Sequence, residues 1–243
     1  MVDQRAENGV VLALDTASPR VSVAVARGDC VLAQREGAQR ESSSLLVGWI
    51  DDVLGEAGLA LSDLAGAVAA SGPGSFTGLR VGLATLLGFH QAIELAVVGL
   101  PTLSLLAAAA PGGRRVAGLV PAGPGEWFAQ AFDSTWPPSA LGEPRRLSAA
   151  DLADWGRQAA TAEAGGVELL AVATAEEAAR LADAAWPVHV TGPLAPVAAR
   201  LASLHPPAWD ASSLSRPLYL APPPVTVPGV PKPVLPMGEA SRR

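Results

Sequence analysis

Twelve residues, Ser71-Gly-Pro-Gly-Ser-Phe-Thr-Gly-Leu-Arg-Val-Gly82, constrain this chain more than any other stretch. They follow a short apolar run, Ala65 to Ala70, and open a long apolar segment, Leu79 to Leu95, in the order strand, glycine turn, helix. Gly72 and Gly74 permit positive φ and close backbone approach, and Pro73 fixes one φ between them. Backbone N–H groups exposed at such a helix start favour an anion, so a phosphate loop is the first reading. A tight turn that only seats a helix against a sheet accounts for the same glycines.

Two common phosphate loops are excluded by the residues themselves. A Walker loop needs a lysine after its last glycine, but Leu79 follows Gly78 and the first lysine of the chain is Lys232. In a dinucleotide fingerprint on Gly72, Gly74 and Gly78 the next strand would carry an acid for a ribose, and the run Leu95 to Leu100 ends in Pro101 instead. A serine nucleophile elbow is also missing, because Pro73 and Thr77 stand where glycines should flank Ser75. His90, His189 and His205 are too dispersed for a paired-histidine motif and Cys30 has no cysteine partner, so local spacing offers no metal site.

The segment after the turn carries few polar residues, Arg80, Thr85, His90, Gln91 and Glu94 among them. Leu79, Leu83, Leu86 and Leu87 form one apolar stripe, and Gly78, Gly82 and Thr85 leave a shallow strip beside Val81, Phe89 and Ala92. A helix apolar on more than one side must be covered on more than one side, either within the domain or by another protein.

With 243 residues, 49% of them hydrophobic, the chain is long enough for a sizeable core as one domain or two small ones. The net charge of −6 and scattered basic residues argue against a large direct nucleic-acid footprint. No apolar run reaches membrane length and no signal-peptide pattern precedes the first strand, so a cytoplasmic location is expected.

Residues 1–9 read as a disordered N-terminus. Val10 to Asp15, Val21 to Arg27 and Cys30 to Gln34 read as strands, and Ser44 to Gly55 as a helix with Leu46, Trp49 and Ile50 on its apolar side. A strand at Ala65 to Ala70, the long helix, a strand at Ala96 to Leu100 and a helix at Thr102 to Ala110 complete the order βββαβαβα. That is the order of one lobe of the ribonuclease-H-like fold. Residues 114–220 read as a second, shortened lobe with strands at Val116 to Val120, Glu126 to Phe132, Val167 to Val172 and Val188 to Val190. Its helices are expected near Ser148 to Ala160, at Thr174 to Ala185 behind a capping box of Thr174 and Glu177, and at Leu194 to Leu204. Residues 221–243 form a proline-rich tail. Asp15, at the end of the first strand, is placed either to hold a metal-bound water or orient a phosphate, or simply to make a turn.

Leu12-Ala-Leu-Asp-Thr-Ala-Ser18, Ser71-Gly-Pro-Gly-Ser-Phe-Thr-Gly-Leu-Arg80 and Arg216-Pro-Leu-Tyr-Leu220 together resemble the TsaB (YeaZ) family, closely over about residues 10–110 and weakly beyond. The resemblance implies an α/β, two-lobed fold of the actin-like ATPase superfamily with a degenerate second lobe. It further implies a subunit without catalysis of its own, which activates TsaD in forming threonylcarbamoyladenosine on the tRNA adenosine beside the anticodon. TsaD and the ATPase TsaE are the implied partners, a homodimer is possible in isolation, and tRNA is met only through the complex. ATP or ADP at the junction with TsaD would involve Asp15, Gly72, Gly74 and Ser75. Family members pair through the first two helices of the first lobe, which here puts Leu46, Trp49, Ile50, Leu79, Val81, Gly82, Thr85 and Phe89 at the interface. On that expectation Gly82→Arg abolishes pairing and spares folding. The alternative is an actin-like ATPase or kinase, with Asp15 at Mg²⁺ and the 71–78 turn at the phosphates. Two departures count against independent nucleotide chemistry: Ser42 stands where many relatives have a histidine, and Pro121-Ala-Gly-Pro-Gly-Glu126 replaces a charged Asp-Ala-Arg-Arg-Gly-Glu run.

Overall fold

The structure is a computed structural model that describes residues 9–38, 42–133, 135–158, 167–182, 184 and 186–218. The expected N-terminal disorder and the proline-rich tail lie outside those residues, apart from Gly9. Tyr219 and Leu220 of the third motif also lie outside them.

The first half builds a five-stranded sheet in the order β3-β2-β1-β4-β5. Its strands are β1 (Val10–Asp15), β2 (Arg20–Arg27), β3 (Cys30–Ala38), β4 (Leu64–Ala70) and β5 (Val97–Leu100). β1 is central, antiparallel to β2 with Leu12 opposite Val25, and parallel to β4 with Leu12 opposite Ala67. Every residue of β1 is buried, which explains its continuous Val/Leu/Ala run: a strand covered on both faces has no reason to alternate. Helices α1 (Ser42–Glu56) and α2 (Phe76–Ile93) precede and follow β4 and touch each other; α3 (Thr102–Ala109) follows β5.

The second half repeats this arrangement on a smaller scale. Its sheet runs β10-β9-β6-β7-β8, made of β6 (Val116–Gly123), β7 (Glu126–Phe132), β8 (Arg145–Ser148), β9 (Leu169–Val172) and β10 (Val188–Val190). β6 stands where β1 stands, antiparallel to β7 and parallel to β9. The helices are α4 (Ala149–Gln158), α5 (Ala175–Ala179) and α6 (Leu194–Leu204). α5 has five residues, far shorter than the helix expected to reach Ala185. Its capping box is formed as the spacing predicts, with Glu177 N–H donating to Thr174 Oγ1 at 3.2 Å and Thr174 N–H to Glu177 Oε2 at 3.0 Å. β8 begins at the end of the proline-bearing stretch Trp136 to Arg146. Its strand character comes from pairing with β7, Trp127 opposite Leu147, rather than from its own sequence.

The two halves exchange their last helices. α3, from the first half, packs on β6, β7 and β9, whereas α6, from the second, packs on β1, β2 and β4. The exchange is fixed by polar contacts as well as by buried Leu194, Ala195, Ala198, Ala199 and Ala202. Gly28 N–H donates to Ser203 Oγ at 2.6 Å, Ser203 Oγ donates to the Gly9 carbonyl at 2.7 Å, and Ala195 N–H donates to Ser22 Oγ at 3.1 Å. Arg200 pairs with Asp29. The chain after α6 also stays on the first sheet: Trp209 covers Gly66, and Ser213 Oγ accepts from Gly99 N–H at 2.9 Å.

Candidate functional site

Asp15 closes β1, and the next residues turn sharply because its carboxylate accepts from the N–H groups of Ala17 (3.0 Å) and Ser18 (3.2 Å) through Oδ1. The residue is fully buried, and Oδ2 has no hydrogen-bond partner. Burial pushes its pKa up to about 6, against the opposing pull of hydrogen bonds from Ser18 and Ala17.

The Ser71–Gly78 turn sits directly on this one. Ser75 N–H donates to the Ala17 carbonyl at 2.8 Å, and a Cβ on Gly74 would lie 2.6 Å from that oxygen, so no other residue fits there. Gly72 has φ +109°, and a Cβ on it would lie 2.7 Å from the Leu218 carbonyl. Its own carbonyl accepts from Thr102 N–H, and Leu218 N–H donates to the Ser71 carbonyl, each at 2.8 Å. Ser75 caps α2 by accepting Gly78 N–H at 3.2 Å. The structure therefore sets Gly74 and Ser75 against the turn that follows Asp15, while Gly72 is held by Thr102 and Leu218. It also spends two of the N–H groups that an anion would need on the chain itself.

Between the two sheets, at this end of β1 and β6, lies a cavity of about 280 Å³. Ala17, Ser18, Gly74, Ser75, Thr102 and Glu177 line it on the polar side. Pro19, Pro73, Leu106, Leu119, Val120 and Pro121 supply the apolar walls. Thr102 is buried and its Oγ1 has no partner. Glu177 is buried and accepts from Ala173 N–H (2.9 Å) and Thr174 N–H through one oxygen, Oε2; burial raises its pKa, with those backbone donors opposing.

The lining by itself offers a phosphate little charge complement. No arginine or lysine is among the described lining residues, and a phosphate would meet the Glu177 carboxylate across a poorly screened space. Arg180 is nearby, but its guanidinium stacks on Trp127 at 4.8 Å and donates to the Gly123 carbonyl. The cavity is also at the small end for a ligand pocket, which usually holds roughly 300–1,000 Å³. Among the described residues no group of three His, Cys, Asp or Glu side chains is placed to hold a metal ion.

The second candidate surface is the face of α1 and α2, and here the structure redistributes the expected contacts. Leu46, Ile50, Leu79 and Gly82 are buried within the chain's own core, and Trp49, Val81, Thr85 and Phe89 are half-buried. Trp49 packs over Gly37, and a Cβ on Gly82 would collide with Thr16 Oγ1, the hydroxyl that donates to the Gly78 carbonyl at 2.7 Å. Gly82→Arg would therefore disrupt the fold. What α1 and α2 show to solvent is Leu45 (43% exposed), Val47 (56%), Arg80, Ala84, Gly88 and Ile93 (47%). A Cβ on Gly48 or Gly88 would meet nothing within 4 Å. Periodicity identified both helices but assigned each apolar residue to a face from its own helix alone. Which face meets the sheet depends on where the strands lie.

A family profile described as "TsaD: tRNA N6-adenosine threonylcarbamoyltransferase" matches residues 31–133. The Escherichia coli "tRNA threonylcarbamoyladenosine biosynthesis protein TsaB" is 34% identical over 121 residues, 49% of this chain and 52% of the relative. The protein of the same name from Haemophilus influenzae is 35% identical over 104 residues, 43% of this chain and 44% of the relative. The matched chain thus spans about half the length of these curated relatives. Among solved structures, YeaZ from Pseudomonas aeruginosa superposes with a TM-score of 0.64 at 23% identity, covering 81% of this chain and 90% of that one. Over its first half the chain is similar in sequence to TsaB proteins, and it shares the fold of YeaZ. Its two five-stranded sheets with crossed helices share the two-lobed α/β fold of YeaZ. No helix among the described residues is long and apolar enough to cross a membrane.

Proposed function

We propose that this chain is the TsaB subunit of the system that makes threonylcarbamoyladenosine on tRNA, and that it acts by docking TsaD through the exposed face of α1 and α2. The observation that carries this reading is where apolar surface lies beside open glycines: Leu45, Val47, Ala84, Gly88 and Ile93 on two adjacent helices of the half that resembles its relatives. Small residues on a helix face let a second helix approach closely, and neighbouring leucine, valine and isoleucine side chains supply the area. The names of the relatives support the pathway, and a TsaD profile matching this half supports kinship between the two partners. The role is one of positioning TsaD. TsaE joins the assembly through TsaD, and tRNA is met there as well. In the absence of TsaD the same face pairs with a second copy of the chain.

The ATPase reading is weaker, because the groups meant to meet phosphate are committed elsewhere. Asp15 is turned into its own loop, and the Ser75 and Gly78 amides are already bonded. Size-exclusion of the purified chain with TsaD tests the docking. Wild type is expected to co-elute and Val47→Arg to elute separately with an unchanged melting temperature; co-elution of Val47→Arg with undiminished affinity rejects this face.

A further inference from the structure

Leu218, the last described residue, lies beside the cavity between the sheets. Its N–H donates to the Ser71 carbonyl at 2.8 Å, its carbonyl would lie 2.7 Å from a Cβ on Gly72, and the next residues of that turn, Pro73 and Gly74, line the cavity. Pro19, Pro73 and Leu106 from the first half and Leu119, Val120 and Pro121 from the second make the apolar walls. Pro19 and Gly74 are exposed and Ser75, Val120 and Pro121 half-buried, so these walls open to solvent. An apolar cleft open to water gains by taking in apolar groups.

The chain itself carries such groups within reach. No charged residue stands between Arg216 and Lys232, and Ala221-Pro-Pro-Pro-Val-Thr-Val-Pro228 lies in that stretch. Segments that stay in water usually have a high net charge and few β-branched residues, whereas this run has no charge and places Val225, Thr226 and Val227 in succession. An extended residue spans at most about 3.6 Å, so Pro222, four residues past Leu218, lies within about 14 Å of it. Pro222, Pro223 and Pro224 have no N–H to leave unpaired in an apolar cleft and little backbone freedom to lose on docking. We propose that Pro222–Val227 of the chain's own tail docks in the cavity, prolines and valines against its apolar walls, and straps the two halves together at the end of β1 and β6. Ser75, whose Oγ accepts from Gly78 N–H, donates its hydroxyl proton to a carbonyl of the segment. The strap forms whether or not TsaD binds on α1 and α2.

NMR of the ¹³C,¹⁵N-labelled full chain tests this. Nuclear Overhauser contacts are expected from the Val225 and Val227 methyls to the methyls of Leu106, Leu119 and Val120. The amides of Val225, Thr226 and Val227 are expected to have order parameters of about 0.8, against values below about 0.6 near Arg242. Val225→Asp sets a carboxylate among apolar walls that Glu177 also lines. It is expected to abolish the contacts, to drop the order parameters of Thr226 and Val227 below about 0.6, and to shift the amides of Gly74, Val120 and Ala173. Val234→Asp, farther along the tail, is expected to do none of this. Order parameters below about 0.6 throughout Val225–Val227 in the wild type overturn the proposal. So do contacts that survive Val225→Asp, and amide shifts as large with Val234→Asp. Contacts that arise only between a labelled and an unlabelled chain in a mixed sample also overturn it, because they put the segment on a second copy.

Discussion

Asp15 shows how much a single carboxyl can say about a turn and how little about a reaction. Its place at the end of the first strand is legible in the sequence, since an acid followed by Thr-Ala-Ser at a strand end makes a turn. Its isolation is not legible, because burial depends on α6 packing on β1 and the 71–78 turn closing on the next residues, both from distant parts of the chain. With a folded pKa of about 6 against 3.8, the folded protein binds this proton more tightly than the unfolded chain. The stabilisation from that proton is fully present below pH 3.8 and is lost as pH rises through about 6, by about 3 kcal/mol in all. Asp15→Asn keeps an oxygen for the Ala17 and Ser18 N–H groups and removes the titration. Denaturant unfolding of both proteins between pH 4 and 7 is expected to show their stabilities diverging with rising pH in favour of the variant, and parallel curves contradict this. Glycines tell a similar story at this scale. Gly82→Arg is expected to lower stability by about 3 kcal/mol or more by driving a side chain into Thr16, whereas Gly88→Arg, in open space, leaves the melting temperature within a few degrees of wild type. Thermal melts of the two side by side decide it.

At the scale of the element, α1 and α2 were recognisable from apolar spacing, and their bounds lie within three residues of expectation. The assignment of faces failed because both helices carry apolar residues on more than one side, and sequence spacing has no means of saying which side meets β4. Leu46 and Ile50 now belong to stability: Leu46→Ala is expected to cost about 2–5 kcal/mol in denaturant unfolding with no change in affinity for TsaD once folded. A loss of affinity in the folded Leu46→Ala protein would return that residue to the interface. β8 and the short 3-10 segment at Ala211–Ser215 were illegible for a different reason. Arg145–Ser148 has no strand pattern until β7 lies beside it, and Ser213 is fixed by Gly99, 114 residues away. The Thr174–Glu177 capping box was legible because all its atoms come from four consecutive residues.

Across the whole molecule the two halves share one topology but not one core. α3 covers the second sheet and α6 the first, so each half supplies a helix that packs on the other's sheet. The sequence gives no sign of this exchange, because the order of elements is the same whether or not the helices cross. A chain ending at Gly112 retains β1 to β5 yet exposes the faces of β1, β2 and β4 that α6 covers. It is expected to lack a cooperative unfolding transition, and mixing it with residues 113–243 is expected to restore one. A cooperative transition in the first fragment alone would show two independent lobes. The interlocked sheets also hold the Asp15 turn, the Ser71–Gly78 turn and Leu218 as one body beneath α2, and this gives the proposed docking face a rigid backing. The central claim is that this face activates TsaD while the chain contributes no chemistry. The measurement that tests it most directly is tRNA threonylcarbamoylation by TsaD with its adenylate-forming enzyme and TsaE, supplied with wild type, Gly88→Arg or no added chain. The account predicts modification with wild type and at least a tenfold slower rate, near the level without the chain, with folded Gly88→Arg. Full activity with Gly88→Arg, or no dependence on the chain at all, would contradict it.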